Sequence, residues 1–117
     1  METRLNIMIM SGVDDGSVFK LSADEGEAEL TDGFWVISIG RHDDNDICLN
    51  NDTFVSRHHA RIYCRADGLW LEDCGSTNGT YVETPVEDLQ IDQVAPIVPG
   101  QLFRIGRTWM RIEQADE

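Results

Sequence analysis

Short segments in which side chains alternate with a period of two constrain the fold of this chain more than any other feature. Between residues 60 and 65, one face carries Ala, Ile and Cys while the other carries Arg, Tyr and Arg. Residues 5–10, 34–39, 102–105 and 107–112 are similar short runs rich in β-branched or aromatic side chains, as expected for β-strands. No window longer than about ten residues combines helical spacing with freedom from Gly and Pro. The chain is therefore predicted to be all-β, either a sandwich or a barrel.

Pairs of turn-forming residues separate these segments. They are Asp15-Gly16, Asp32-Gly33, Asp67-Gly68, Asn78-Gly79 and Pro99-Gly100. Asp67-Gly68 joins two clear strand patterns and predicts a β-hairpin. Residues 22–32 are predicted to form an exposed acidic loop. Residues 86–91 are predicted to form at most one or two helical turns within a loop.

The size and charge of the chain bound its function. A length of 117 residues leaves room for one domain. The formal net charge of −13 argues against nucleic-acid or membrane partners, because both attract basic surfaces. The sequence has neither a transmembrane run nor a secretory signal pattern. Cys48, Cys64 and Cys74 contain no Cys-x-x-Cys pair, which predicts buried, reduced thiols in a cytoplasmic protein.

The negative charge lies outside the middle of the chain. Residues 1–38 hold eight acids and two bases, a net −6, and residues 67–117 hold ten acids and three bases, a net −7. Residues 39–66 hold four arginines, four aspartates and all three histidines. The planar, forked guanidinium of arginine suits oxyanions. Charge effects fade over about 8 Å at physiological salt, so acids elsewhere in the chain do not prevent this neutral window from binding an anion. The window is therefore predicted to carry the functional chemistry.

Three segments contain more glycine and polar residues than a turn requires. They are Ile39-Gly40-Arg41, Val55-Ser56-Arg57-His58-His59-Ala60 and Gly75-Ser76-Thr77-Asn78-Gly79-Thr80. An arginine combined with hydroxyls and backbone N–H groups can bind an oxyanion. Each segment on its own is more typical of an ordinary β-turn, so the prediction rests on their combination.

In this order and spacing, the three segments resemble the forkhead-associated (FHA) domain, a family of phosphothreonine-recognition modules. The resemblance spans residues 36–112 and includes the closing run from Gly100 to Gly106. It implies a β-sandwich of two twisted, mainly antiparallel sheets with the binding loops at one end. Residues 1–117 are accordingly expected to form a single FHA domain.

The resemblance implies that five residues bind a phosphopeptide: Arg41, Ser56, Arg57, Thr77 and Asn78. The guanidinium of Arg41 is expected to contact the phosphate, and Ser56 and Thr77 are expected to donate their hydroxyls to it. Asn78 is expected to hydrogen-bond the peptide backbone, whereas Arg57 adds positive potential beside the site.

Three further residues are expected to support the site structurally. Gly40 allows close approach of two backbones, and Gly79 fits a turn that needs a positive φ. In the family, the histidine at the position of His59 is hydrogen-bonded inside the fold and holds the binding loops. His58 is expected at the rim of the site or in solvent, and His42 at the surface.

Two regions are expected to influence peptide preference. Asn51, Asp52 and Thr53 occupy a loop that in the family often contacts residues after the phosphothreonine, and Asp52 is expected to repel an acidic residue there. The segment 82–99 is longer than usual in the family and is expected near the binding edge.

The resulting functional prediction is a phosphothreonine-dependent protein-interaction module in Ser/Thr kinase signalling, with no catalytic residues and no cofactor. The expected partner is a phosphothreonine-containing protein or peptide, either a kinase substrate or the kinase itself, and the chain is expected to be a monomer. Phosphorylation of Thr31 or Thr84, both expected in acidic loops, would offer a route to self-association.

Two other function classes stay open at this stage. One is a phosphate-independent docking domain whose acidic surface contacts a basic partner. The other is a hydrolase with Ser56 as nucleophile and His59 as base, although no nucleophile elbow accompanies them. Residues 43–46 lack the Gly and Glu of a calcium loop, and the cysteines and histidines have no recognised metal spacing, so no metal site is predicted.

Overall fold

The computed structural model describes residues 4–12, 14–22, 30–31, 34–65 and 67–114, and within these ranges it contains strands and no helix. The described residues form twelve strands. They are β1 (Arg4–Ser11), β2 (Val18–Ser22), β3 (Leu30–Thr31), β4 (Phe34–Gly40), β5 (Ile47–Cys48), β6 (Ala60–Arg65), β7 (Gly68–Asp73), β8 (Thr80–Glu83), β9 (Asp88–Gln90), β10 (Val94–Ile97), β11 (Leu102–Ile105) and β12 (Thr108–Gln114).

The strands form a sandwich of two sheets, which confirms the predicted fold class. The first sheet has the order β2-β1-β12-β11-β8-β9, and the second has the order β10-β7-β6-β4-β3, with β5 paired to β4 beside this path. The β4–β5 pair is parallel, whereas the other described pairs are antiparallel.

The period-two segments supply the core between the sheets. In the first sheet, Ile7 pairs with Ile112 and Ile9 pairs with Met110, and all four side chains are buried. In the second sheet, each residue of the cross-strand row Ile37, Ile62 and Leu71 is fully buried. Burying one such side chain stabilises the fold by about 1.5–3 kcal/mol, so the alternation fixes which face of each strand turns inward.

The register of the second sheet brings three loops to one end of the sandwich. Ile39 pairs with Ala60, and Ala60 pairs with Asp73. Because these strands are antiparallel, the end of β4, the start of β6 and the end of β7 lie side by side. The loops that follow Gly40, precede Ala60 and follow Asp73 therefore emerge together.

The predicted hairpin at Asp67-Gly68 is confirmed, since β6 and β7 pair from Arg65↔Gly68 onward. The prediction for residues 86–91 was wrong: Asp88–Gln90 form β9 and pair with β8. Most of the predicted acidic loop 22–32 and the turn at residues 32–33 lie outside the described residues. Residues 30–31 form β3, so Thr31 lies in a strand instead of a loop.

The described part of the chain holds three thiols. Cys48, Cys64 and Cys74 are free and half-buried, so the expectation of full burial was wrong. Burial raises the pKa of Cys64 to about 12, and its thiol is therefore protonated and unreactive at neutral pH. No helix in these ranges is long and apolar enough to cross a membrane.

Candidate functional site

One open groove of about 800 Å³ lies where the three loops meet. Its lining residues are Arg41, His42, Thr53, Phe54, Val55, Ser56, Arg57, His58, Thr77 and Asn78. The fold thus gathers the five residues of the predicted phosphopeptide site, which come from three segments of the sequence, around one groove.

Arg41 is held by the backbone of the loop opposite it. Its Nε donates a hydrogen bond of 2.9 Å to the carbonyl of Val55, and its backbone N–H donates to Ser56 O at 2.9 Å. The bond at Nε fixes the plane of an exposed guanidinium, a planar group that binds oxyanions through two parallel N–H bonds.

Ser56, Thr77 and Asn78 tie the second loop to the third. The backbone N–H of Thr77 donates to Ser56 Oγ at 3.1 Å. A serine hydroxyl that accepts a bond still has its own hydrogen to donate, so Ser56 remains a donor toward the groove. Asn78 Nδ2 donates to Phe54 O at 2.8 Å, which leaves the amide oxygen and the second N–H as groups with which it can read a peptide backbone.

His59 is a fully buried connector beneath the groove. Its Nδ1 accepts a hydrogen bond of 3.0 Å from the backbone N–H of Ser56, so Nε2 carries the hydrogen and donates to Gly79 O at 2.9 Å. Burial lowers the pKa of the imidazole, although the bond to Gly79 opposes this effect. His59 is therefore neutral at pH 7, and both its nitrogens hold backbone groups of the binding loops.

Gly40 lies where two loop backbones nearly touch. A side chain at this position would collide with the carbonyl of Arg57 and with Asn45 Nδ2. That amide group of Asn45 bonds to His42 O at 2.7 Å and to Arg57 O at 2.8 Å, and the residue is only 9% exposed. Because Gly40 has no side chain, the first two loops can be joined by one buried amide.

The third loop is organised by Asp73. Its carboxylate accepts hydrogen bonds from the backbone N–H groups of Gly75 and Ser76, from Ser76 Oγ at 2.6 Å and from Thr80 Oγ1 at 2.7 Å. Burial tends to raise the pKa of Asp73, but the bonds from Ser76 and Thr80 outweigh it and hold the pKa below its usual value. At the far end of the loop, Gly79 has φ +86°, the backbone conformation expected from the sequence.

Asp52 does not have the role that the sequence predicted for it. It is 2% exposed, and its carboxylate accepts bonds from the backbone N–H of Arg107 at 2.8 Å and from Thr108 Oγ1 at 2.7 Å. Because this carboxylate is buried and hydrogen-bonded inside the fold, it is not exposed to contact a peptide residue at the surface. Asp52 instead fastens the second loop to the turn between β11 and β12.

The other residues expected to influence peptide preference differ in whether they line the groove. Thr53 lines the groove, whereas Asn51 donates its Nδ2 to Asp14 Oδ1 at 3.1 Å and is not part of the lining. No described residue from 82 to 99 lines the groove, but a side chain at Gly79 would strike the amide of Gln90, so part of this segment lies beside the third loop, near the groove. Thr84 closes the β8–β9 turn, where its hydroxyl donates to Glu87 O at 2.7 Å.

Sequence reasoning missed two contributions to the groove. Phe54 is 39% exposed at the groove wall, and the Arg107 guanidinium lies 3.9 Å from its ring centroid, a cation–π contact that no sequence pattern signals. Gly106 was placed only in the closing run of the resemblance, yet a side chain there would strike Val55 and Asp52. His42 and His58 lie at the rim as exposed residues, in agreement with the sequence-based expectation.

Comparisons with known proteins all lead to the same family. The model of the family described as FHA domain matches residues 37–106, more than half of the chain. FhaB, an FHA domain-containing protein from Mycolicibacterium smegmatis, is 35% identical over 79 residues, which cover 68% of this chain and 48% of FhaB. This chain therefore spans about half the length of that relative.

Two solved structures extend the likeness over nearly the whole chain. The FHA domain of the CT664 protein from Chlamydia trachomatis has a TM-score of 0.74 and 25% identity, covering 97% of this chain and 100% of its own. An FHA domain studied for its phosphothreonine-dependent interactions has a TM-score of 0.64 and 26% identity, covering 98% of this chain and 100% of its own.

Proposed function

The chain belongs to the FHA domain family, and from that premise we propose that it binds proteins phosphorylated on threonine, in Ser/Thr kinase signalling. The observation that carries this proposal is the meeting of Arg41, Ser56, Thr77 and Asn78 around one groove. The partner is a phosphothreonine-containing protein, either a kinase substrate or the kinase itself.

Each of these residues has a chemical role toward such a ligand. Arg41 supplies the charge and a planar pair of donors, while the hydroxyls of Ser56 and Thr77 supply neutral donors to the remaining phosphate oxygens. A charge-assisted bond contributes about 1.5–3 kcal/mol. Asn78 reads the peptide backbone, and Arg57, which is exposed in the lining, adds positive potential. The FHA domain of known structure that has phosphothreonine-dependent interactions is in accord with this assignment.

The proposed module binds without catalysis. In a serine hydrolase the histidine must accept the proton of the serine hydroxyl. Here His59 accepts from the backbone N–H of Ser56, not from its hydroxyl, and its other nitrogen donates to Gly79 O. This arrangement leaves Ser56 without its neighbouring histidine as a base, so the Ser-x-x-His segment supports a binding site.

We further propose that residues 1–117 act as one FHA domain in the cytoplasm. The family match covers residues 37–106, but β1 pairs with β12 along most of its length, so the first strand completes the sandwich. Three free, half-buried thiols fit a reducing compartment.

The proposal is tested by capture of peptides from a degenerate phosphothreonine library on the immobilised chain. The native chain is expected to retain phosphopeptides and release them when phosphatase is added. Arg41→Ala and Ser56→Ala are expected to lose capture while remaining folded by circular dichroism, although each variant loses one hydrogen bond between loops.

Arg65→Ala is the matched control, because it removes an exposed arginine at the opposite end of β6 from the groove. It is expected to capture peptides like the native chain. Capture that survives both phosphatase and Arg41→Ala would instead favour the phosphate-independent docking function.

A further inference from the structure

Two imidazoles and a carboxylate converge at the rim of the groove. His42 Nδ1 lies 2.8 Å from Asp44 Oδ1, and His58 Nε2 lies 3.1 Å from the same oxygen. The ligand atoms of these three residues all lie within 4.8 Å of one another. The two imidazole rings are stacked, with centroids 5.6 Å apart and an angle of 30° between their planes.

His42 Nδ1 has neighbours of two kinds. The backbone N–H of Asp44 donates a hydrogen bond of 3.2 Å to it, whereas carboxylate oxygens of Asp44 and Asp43 lie 2.8 and 3.3 Å from it. A nitrogen that accepts the N–H bond presents a lone pair, and a cation placed between this lone pair and the Asp44 oxygen attracts both atoms.

The spacing and chemistry of the three atoms suit a metal ion of the zinc class. Zinc binds imidazole nitrogen and carboxylate oxygen at about 2.0–2.2 Å, and in a tetrahedral site these bonds place neighbouring ligand atoms about 3.4 Å apart. The observed separations of 2.8 and 3.1 Å are within a small side-chain adjustment of that value. Two imidazoles favour zinc, copper or nickel over magnesium and calcium, which prefer oxygen alone.

The backbones that carry the ligands are fixed to each other before any ion binds. The buried amide of Asn45 joins the carbonyl of His42 to that of Arg57, the residue before His58. A backbone bond from His42 N to Arg57 O at 3.2 Å adds a second tie between the same loops. A metal ion would therefore have to order little more than three side chains.

We propose that His42, Asp44 and His58 form a binding site for a divalent cation of the zinc class, with one coordination position open to solvent or ligand. The spacing of these residues, two and fourteen positions apart along the chain, matches no metal motif, so the proposal revises the expectation of no metal site. His42 and His58 also line the groove. On the basis of the proposed function, we infer that the bound cation increases the affinity for a phosphopeptide.

The metal site is tested without any peptide, by calorimetric titration of zinc into the chelator-treated chain. Asp44→Ala is expected to weaken zinc binding by about tenfold or more, as loss of a ligand should. Asp67→Ala removes the same charge from the exposed β6–β7 turn, at the opposite end of β6 from the groove, and is expected to change zinc affinity by less than about threefold. Equal zinc binding by the native chain and Asp44→Ala would overturn the site.

Cobalt(II) distinguishes this site from adventitious binding to the free thiols. A four-coordinate nitrogen and oxygen site is expected to give visible absorption bands without a thiolate charge-transfer band, and Asp44→Ala is expected to abolish these bands. A thiolate band that persists in Asp44→Ala would contradict the proposal.

The coupling is tested by titrating a phosphothreonine peptide with zinc present and with chelator present. Zinc is expected to raise the peptide affinity about fivefold or more in the native chain and in Asp67→Ala but not in Asp44→Ala, and saturating peptide should raise zinc affinity by the same factor. Equal peptide affinity with and without zinc would overturn the coupling. Absence of phosphopeptide binding both with zinc and with chelator would refute the proposed function and leave the result of the zinc titration unaffected.

Discussion

At the scale of single residues, His58 and His59 are neighbours with opposite surroundings. His59 is fully buried between Ser56 N and Gly79 O, whereas the side chain of His58 is 61% exposed. The buried ring of His59 thus holds the loops, whereas the ring of His58 lies at the surface. Variants at His58 and His59 therefore separate an effect on surface chemistry from an effect on stability.

We expect His59→Ala to lower the free energy of unfolding by about 3 kcal/mol, because it leaves a cavity and strands a buried donor and acceptor. His58→Ala is expected to change it by less than about 0.5 kcal/mol. Urea unfolding of both variants, in the presence of chelator, measures the two values. Equal losses would show that His59 is not the connector described.

Gly40 tests the close approach of the first two loops. Because a methyl group here would meet the Arg57 carbonyl, Gly40→Ala is expected to push the loops apart and weaken phosphopeptide binding by roughly tenfold or more, equivalent to about 1.4 kcal/mol. Gly16→Ala is the control: Gly16 has φ +90°, but beyond its chain neighbours no atom lies within 4 Å of the position that a methyl group would take, so its cost falls on stability and not on peptide affinity. Native-like binding by Gly40→Ala in a peptide titration would contradict this account.

The meeting of Arg41, Ser56 and Thr77 around one groove was predictable because their segments resemble those of a known family. The positive φ of Gly79 was predictable from the turn that it occupies. Asp52 was not, because its partners Arg107 and Thr108 lie more than fifty positions away and nothing in the surrounding sequence indicates that its side chain turns inward.

At the scale of strands and loops, period-two alternation identified the central strands because burial on one face produces it. The edge strands β9 and β10 lack this signal. Every residue of β9 is exposed, and β10 contains Pro96, which a strand tolerates at a sheet edge. Whether a strand lies at an edge depends on the assembly of the sheets, so these two strands could not be predicted from local pattern.

The loop after β7 should respond to acid through Asp73. Its folded-state pKa is held below the usual value, so the charged carboxylate contributes stability that is present above its unfolded-state pKa of about 3.9 and is lost as pH falls through the folded value. Asp73→Asn is expected to cost about 1–3 kcal/mol at pH 7, and the difference from the native chain is expected to shrink as pH falls below about 4.

Urea unfolding of both chains across this pH range measures the effect. Asp67→Asn, at the exposed β6–β7 turn, is the control for a change of charge alone and is expected to stay near the native stability throughout. A difference between the native chain and Asp73→Asn that is constant with pH would contradict the assignment.

At the scale of the whole molecule, the net charge of −13 is expected to favour phosphopeptides with basic flanks over those with acidic flanks. The acids in excess lie outside residues 39–66, so the groove can hold a phosphate while the surroundings repel further negative charge. Phosphothreonine peptides with lysine or arginine flanks are expected to bind about fivefold more tightly than those with aspartate or glutamate flanks, an effect of about 1 kcal/mol that salt screens. Titrations at low and high ionic strength measure it, and a preference for acidic flanks would contradict it.

The central claim is that this FHA domain recognises the phosphate of a phosphothreonine through the groove around Arg41. Calorimetric titration of one library-selected peptide and its unphosphorylated twin tests it most directly. We expect micromolar affinity for the phosphorylated peptide, about −8 kcal/mol, and no measurable binding of the twin or of either peptide to Arg41→Ala. Equal affinity for the two peptides would contradict it.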